Sequence, residues 1–301
     1  MVSRTRRTRA EIDALDQTII AILAEEAPLT LRHVYYGLVA ADAIPKTEAA
    51  YGTVQRRLVE LRESGRVPWR HVVDNTRWVH GVDVFDGPEA ALRATAQHYR
   101  RDIMRWQPTR IEVWAESDSI GSVLAAVTNE FGCDLYIGRG YSSRGYLHSA
   151  AEQIEAAAAA GKRTLILHLG DYDPSGEDIA RTVRDTLTRY VRQLYQTRIM
   201  ADLAAGFRPL LLPAFDRLAV TPEQIEELEL PYRPVKKSDP RTRGFAGAGS
   251  VEIEAIPRRT ILAILRDRIE RELDSHALEI ARVAEESERE VLARIAETMA
   301  A

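Results

Sequence analysis

The chain has 301 residues, 45% of them hydrophobic and 29% charged, enough for one large domain or two ordinary ones. A net charge of -4 does not advertise a nucleic-acid binder, the single cysteine (Cys133) excludes an internal disulfide framework and fits a reducing cytoplasm, and seven scattered histidines lack zinc-ligand spacing. No apolar run approaches the roughly 20 residues that span a bilayer, and the basic start "MVSRTRRTRA" has no apolar stretch behind it, so neither a membrane protein nor a secretory leader is expected.

In chain order, residues 10–26 place Ile12, Leu15, Ile19, Ile22 and Leu23 at helical spacing. A second helix follows in "PLTLRHVYYGLVAAD" with Thr30 as its N-cap, and a third after Thr47, with Val54, Leu58 and Leu61 on one face and Gly65 at its end. "PWRHVVDNTRWVHGVDVFDG" reads as a short hairpin. Three helices and a hairpin is the order of a winged helix, whose third helix usually enters the major groove of DNA. Lys46, Arg56, Arg57 and Arg62 lie on or beside that helix, and residues 1–110 carry 17 Lys and Arg against 14 Asp and Glu, so basic charge is where docking would need it.

A connecting helix ended by Pro108 is expected over 91–110. Beyond it, strands at 110–115, 134–139, 163–170 and 207–214 alternate with helices, which predicts a mainly parallel, Rossmann-like sheet. The fold class is therefore α/β, divided into residues 1–107 and 108–301. The stretch 229–250 reads as a long basic loop, "VEIEAI" (251–256) as one more strand, and the rest from Thr260 as an amphipathic helical tail.

Ligands of such sheets bind at the carboxyl ends of strands, and that is where Glu116, Asp171 and Asp173 fall. Asp171 and Asp173, two apart in "HLGDYDPSGEDI", either cap the helix that follows or share a divalent cation that relieves their repulsion. With Glu116 at a second strand end the cation is favoured, and hard oxygen donors suit Mg²⁺, for which Mn²⁺ can substitute.

Glu116 followed by Asp171-x-Asp173-x-x-Gly176 on successive β/α units resembles the Toprim domain of topoisomerases, primases and certain nucleases. "DYDPSGEDI" is similar to the form found in the topoisomerase VI A subunit and in the related meiotic double-strand-break transesterase. "GRGYSSRGYL" (138–147) resembles the Gly-rich stretch of that family, and "VEIEAI" its late strand. The chain has Ser117 where the family often has Lys. "LRHVYYGL" resembles the family's Arg-x-x-Tyr-Tyr motif, so the resemblance makes Tyr36 the nucleophile, Arg32 a phosphate contact, Tyr35 a packing residue, and Glu116, Asp171 and Asp173 the Mg²⁺ ligands, with Glu116 also a proton-transfer candidate.

The implied activity is cleavage of double-stranded DNA by tyrosine transesterification, leaving a 5′-phosphotyrosyl link. The implied assembly is a homodimer in which one subunit's tyrosine serves the other's Toprim site. No GxxxxGK[ST] is present, so ATP-driven strand passage would need a separate GHKL-type ATPase subunit. The chain could also be a stand-alone miniature A subunit, nucleoid-associated in the cytoplasm. Arg139, Arg144, Lys236, Lys237, Arg241 and Arg243 are candidate DNA contacts; Asp74 and Arg77 either pair or line the DNA path. His33 and His168 are expected to be structural. The competing functions are a hydrolytic Toprim nuclease in which Tyr36 is core, and a non-catalytic DNA-binding protein.

Overall fold

The computed structural model describes residues 8–73, 82–201, 209–235, 241–242 and 245–300. It is a mixed α/β fold rich in helix. Helices α1 (Arg9–Glu26), α2 (Leu31–Ala40) and α3 (Glu48–Glu63) come first, begun by the side chains of Thr8, Thr30 and Thr47, each of which accepts a hydrogen bond from a first-turn backbone N–H. Gly65, at φ +75°, follows the end of α3 in the left-handed conformation its sequence position predicts. The two-residue strands β1 (Leu29–Thr30) and β2 (Val72–Val73) pair in parallel, so the described part of the expected hairpin joins an earlier strand instead of folding back on itself. Residues 74–81 of that hairpin, including Asp74 and Arg77, lie outside the described residues.

Helix α4 (Pro88–His98) is shorter than the connecting helix expected, because tertiary bonds take the backbone groups after it. Arg101 N–H donates to Glu285 (2.8 Å), Arg289 Nε to the Tyr99 carbonyl (2.9 Å), and Gln107 exchanges hydrogen bonds with the Asp274 backbone (2.8 and 3.2 Å). These partners lie on or just before α10 (Ser275–Ala300), which packs along α4; helix α9 (Arg258–Glu270) precedes it.

The second sheet contains β3 (Thr109–Ala115), β4 (Asp134–Ile137), β5 (Arg163–Leu169) and β6 (Ala214–Ala219), all parallel, in the order β4-β3-β5-β6. Helices α5 (Asp118–Phe131), α6 (Arg144–Ala159) and α7 (Pro174–Ala201) connect them, with α8 (Pro222–Glu227) after β6. Side-chain alternation sorts β3: Ile111, Val113 and Ala115 join α5, α9 and the N-terminal helices in one continuous apolar cluster, while Trp114 on the opposite face joins α6 and α7. The core therefore runs across the expected 107/108 division. Of the strand expected at 207–214, residues 207 and 208 lie outside the described residues; among the described ones the strand is Ala214–Ala219, since Pro209 and Pro213 cannot donate to a ladder and Ala214–Ala219 can pair with β5. Among the described residues no helix is long and apolar enough to cross a membrane.

Glu112 is a buried carboxylate inside β3. Burial holds its pKa up at about 7, above the ordinary 4.5, although Arg110 and the Trp114 indole N–H (3.0 Å) pull the other way. Arg110 Nη1 stands 2.8 Å from Oε1 without the alignment of a hydrogen bond, which weakens that pull. A raised folded-state pKa means stability that is full below about 4.5 and lost as pH rises through about 7. Glu112→Gln is therefore expected to flatten the urea-unfolding profile between pH 5 and pH 8, where the wild type loses about 2 to 3 kcal/mol relative to the variant.

Candidate active site

The order β4-β3-β5-β6 reverses direction between β3 and β5, and the crevice at such a reversal is where open parallel sheets bind ligands. Glu116 leaves β3 there and Asp171 leaves β5. Glu116 Oε2 accepts the Asp171 N–H at 3.0 Å. Gly170 and Gly176 make this contact feasible: a Cβ on Gly170 would sit 2.5 Å from Glu116 Oε2, and one on Gly176 only 2.2 Å from the Asp171 carbonyl oxygen. Arg217, from β6, donates to the carbonyls of Asp171 (2.5 Å) and Gly176 (3.3 Å), tying the turn to the sheet. The loop after β4 closes over Glu116, whose carbonyl accepts the Gly140 N–H (3.1 Å).

The two aspartates have different jobs. Asp173 Oδ1 accepts the Gly176 N–H at 2.7 Å, which is the helix-cap role for the start of α7. Asp171 Oδ1 accepts the N–H of Ile253 at 2.9 Å. That bond recruits the segment 251–256, which is not the expected strand. Val251 bridges to Tyr172 and residues Ile253–Ala255 form a 3-10 turn. The turn brings in two acids that sequence reasoning left without a role. Glu254 is 3% exposed; its Oε1 takes Arg32 (3.5 Å) and the Ser119 hydroxyl, while its Oε2 is buried with no hydrogen-bond partner. Glu252 pairs with Arg233. Their i, i+2 spacing, the same as in Asp171-x-Asp173, was the signal that could have flagged them.

Helix α2 lies against this turn. Arg32 is half-exposed; burial opposes its charge, but Glu254, Glu252 and Asp171 outweigh that and raise its pKa. Tyr36, one turn later, is only 2% exposed, with its ring edge-on to Tyr35 at 5.1 Å. Burial, and then the neighbouring Glu252 carboxylate, drive its phenol well above the ordinary tyrosine range. Tyr35 donates to the Thr47 carbonyl (3.3 Å), as a packing residue would. The resemblance implied that Tyr36 serves the site of a second subunit, yet here Arg32 and Tyr36 both reach acids of their own chain.

Burial and repulsion raise the carboxylates of Asp171 and Glu116. Asp171 is pushed well above the usual range by burial, then by Glu254 and Glu116; Glu116 is raised by burial and by Asp173 and Glu254. An open pocket of about 310 Å³ reaches these acids and is lined by Arg32, Glu116, Ser117, Asp118, Arg139 and Asp171. Arg32, Ser117 and Asp118 also line a neighbouring cleft of about 600 Å³ that runs beside α3.

Of the candidate DNA contacts, Arg57 is committed to buried Asp16 by two hydrogen bonds (2.8 and 2.6 Å), and is a structural ion pair. Lys46 donates to the Pro231 carbonyl (2.9 Å) and lies 5.2 Å from the Tyr36 ring centroid; burial, then Arg233, lower its pKa to about 8. Arg56 is exposed on α3, Arg62 lies over the Trp69 ring, and Arg144 is exposed on the first turn of α6. Arg139 pairs with Asp118 at the pocket rim, and Arg241 donates to Ser175. Lys236, Lys237 and Arg243 lie outside the described residues. His33 bonds Thr30 (2.8 Å) and is lowered by burial; His168, also buried, is pushed down to about 3, so both are neutral and structural.

Among the described residues no group of three or more His, Cys, Asp or Glu side chains is arranged to hold a metal ion. The donor chemistry of the two strand ends is nonetheless that of a hard divalent cation, since the carboxylates of Glu116 and Asp171 are buried together and repelled by their acidic neighbours. In comparisons with known proteins, the chain matches no family model and no curated protein.

Proposed function

We propose that this protein cleaves DNA by metal-assisted tyrosine transesterification, with Tyr36 as the nucleophile and Glu116 and Asp171 at the centre of the cation site. The observation that supports it most is the 252–254 turn. One side of the turn binds Asp171, and the other meets Arg32 and Tyr36, so two motifs far apart in the chain form one polar network. Neither motif alone carries that weight, because a Tyr-Tyr pair is commonly core and paired aspartates commonly cap helices.

In this reading Glu252 receives the phenol proton as the Tyr36 oxygen attacks phosphorus, and the bond to the 3′-oxygen breaks, that oxygen taking a proton from water and leaving as a 3′-hydroxyl. Arg32 contacts the phosphate as its charge builds. Mg²⁺ or Mn²⁺, held by Glu116 and Asp171 with Asp173 beside them, would supply Lewis-acid stabilisation of that charge. A winged-helix character for the N-terminal helices, a Toprim character for the sheet, a homodimer and a separate GHKL-type ATPase subunit belong to the same proposal by resemblance. So does double-stranded DNA as the substrate.

One observation favours a second reading. Tyr36 is 2% exposed, so attack requires α2 to part from the 252–254 turn, whereas hydrolysis at the acids requires no such movement. Supercoiled plasmid incubated with Mn²⁺, then treated with denaturant and protease, separates the two. Transesterification yields linear DNA that enters the gel only after protease, and Tyr36→Phe abolishes the protein–DNA adduct. Cleavage of equal extent in Tyr36→Phe, with no protein on the ends, would establish the hydrolytic enzyme instead.

A further inference from the structure

We infer that the cleft of about 600 Å³ beside α3 holds one unstacked guanine nucleotide of the strand whose phosphate lies at Arg32. This rests on the nucleic-acid substrate proposed above, and on neither the cation nor Tyr36. One face of α3 builds the cleft. Tyr51, Gln55, Leu58, Val59 and Arg62 recur at three- and four-residue intervals, so they share that face. Leu58 and Val59, with Val72 and Val73 of β2, give the cleft apolar surface, and Tyr51, Gln55 and Arg62 bring polar heads to it. Arg32, Ser117 and Asp118 line both this cleft and the pocket that reaches Glu116 and Asp171, so the two spaces adjoin at one guanidinium.

The deciding side chain is Arg62. Its Nε is buried and meets no hydrogen-bond acceptor, and among the described residues no carboxylate pairs with its outer nitrogens. The guanidinium lies 4.4 Å over the Trp69 ring, which orients it without satisfying its donors. Its neighbours in sequence differ, since Arg57 and Arg66 are both committed to Asp16. A guanidinium left without an acceptor costs free energy that a ligand in the cleft recovers through the outer nitrogens. Guanine offers two adjacent acceptors, O6 and N7, on one edge, and they match that pair of donors; the other bases have no such pair. Its flat rings suit the apolar surface of Leu58 and Val59. Its phosphate suits Arg32, which is half-exposed and meets Glu254 through one nitrogen only (3.5 Å). The volume fits one small ligand and is too small for paired DNA. In a double-stranded substrate the base therefore has to leave the stack, at a cost that is lowest where pairing is already broken.

The test is fluorescence anisotropy with the full-length protein in EDTA, so that neither cleavage nor a cation enters. The probe is a labelled strand of about ten thymidines carrying one central guanine. Replacing that guanine by an abasic residue is expected to weaken binding by about tenfold or more, and replacing it by adenine by about threefold or more. Arg62→Met keeps a stem of similar length and removes the donors. It is expected to weaken the guanine strand about tenfold and the abasic strand by less than about twofold. Arg56→Met, on the same helix but outside the cleft, is expected to weaken both strands equally. An abasic or adenine strand that binds as tightly as the guanine strand overturns the inference, and this comparison uses wild-type protein alone, so it stands whatever a variant does to folding. An Arg62→Met protein that melts as the wild type does and loses equally on both strands overturns it too, because Arg62 is then an ordinary phosphate contact. Displacement of the strand by free guanosine monophosphate at micromolar concentration would make this a mononucleotide site and likewise overturn the assignment. In each of these cases DNA cleavage by Tyr36 and the acids stands. Wild-type protein that binds neither the strand nor plasmid overturns both the inference and the proposed function.

Discussion

Asp171→Asn is expected to abolish DNA cleavage, by at least about 10³-fold, and at the same time to make the metal-free protein more stable. The two effects have one cause. The carboxylate is buried and repelled by Glu254 and Glu116, and its pKa is raised well above the usual range, so the folded state disfavours its charge. Stability from such a group is lost as pH rises through its folded-state pKa, and at neutral pH the wild type carries that loss. Asparagine has the same shape and can still accept the Ile253 N–H through Oδ1, so the structural bond is retained. Removing the charge is then worth on the order of 1 kcal/mol, about 2 °C in melting temperature. Differential scanning calorimetry without metal, run beside plasmid cleavage with Mn²⁺, checks both signs. A variant that is less stable and still active would remove Asp171 from the centre of the site.

Gly176→Ala is expected to destabilise the protein by about 4 kcal/mol or more and to inactivate it. A Cβ there would stand 2.2 Å from the Asp171 carbonyl oxygen and 3.1 Å from its carbon, contacts with backbone that no rotamer change relieves. The same methyl would sit 3.3 Å from Glu116 Oε2. Relief has to come from moving the 171–176 turn, which Arg217 holds by two carbonyls, or from moving the first turn of α7. Gly145, on α6, is the control. Nothing lies within 4 Å of its Cβ position, so Gly145→Ala is expected to stabilise by up to about 1 kcal/mol through helix propensity alone. Melting curves of the two variants should therefore move in opposite directions. Equal small shifts would mean that the turn is looser than its contacts indicate.

Much of the N-terminal half was legible because its signals are local. Thr30 and Thr47 start helices by accepting the hydrogen bonds of their own first turns, and Gly65 ends one by taking a φ that other residues avoid. The alternation of strands and helices after residue 108 was equally readable from apolar runs. Where sequence reading failed, a distant partner had taken the backbone. The expected strand at 207–214 gave way to Ala214–Ala219 because the prolines cannot serve β5. The alternating pattern of "VEIEAI" looked like a strand, yet Ile253 spends its N–H on Asp171 and the chain turns. Arg57 looked like a DNA contact, and only the fold reveals that it neutralises Asp16, forty-one residues away.

By itself, then, the sequence determined the starts of α2 and α3, the parallel α/β class and the strand-end positions of Glu116, Asp171 and Asp173, since caps, turns and apolar periodicity act over a few residues. Only the tertiary structure decided which acids face one another. It turned Asp173 toward its own helix, brought Glu252 and Glu254 to Tyr36, Arg32 and Asp171, and buried the tyrosine. Such choices depend on which far-off donor reaches a carboxylate first, and that is a property of packing, with no counterpart in local spacing.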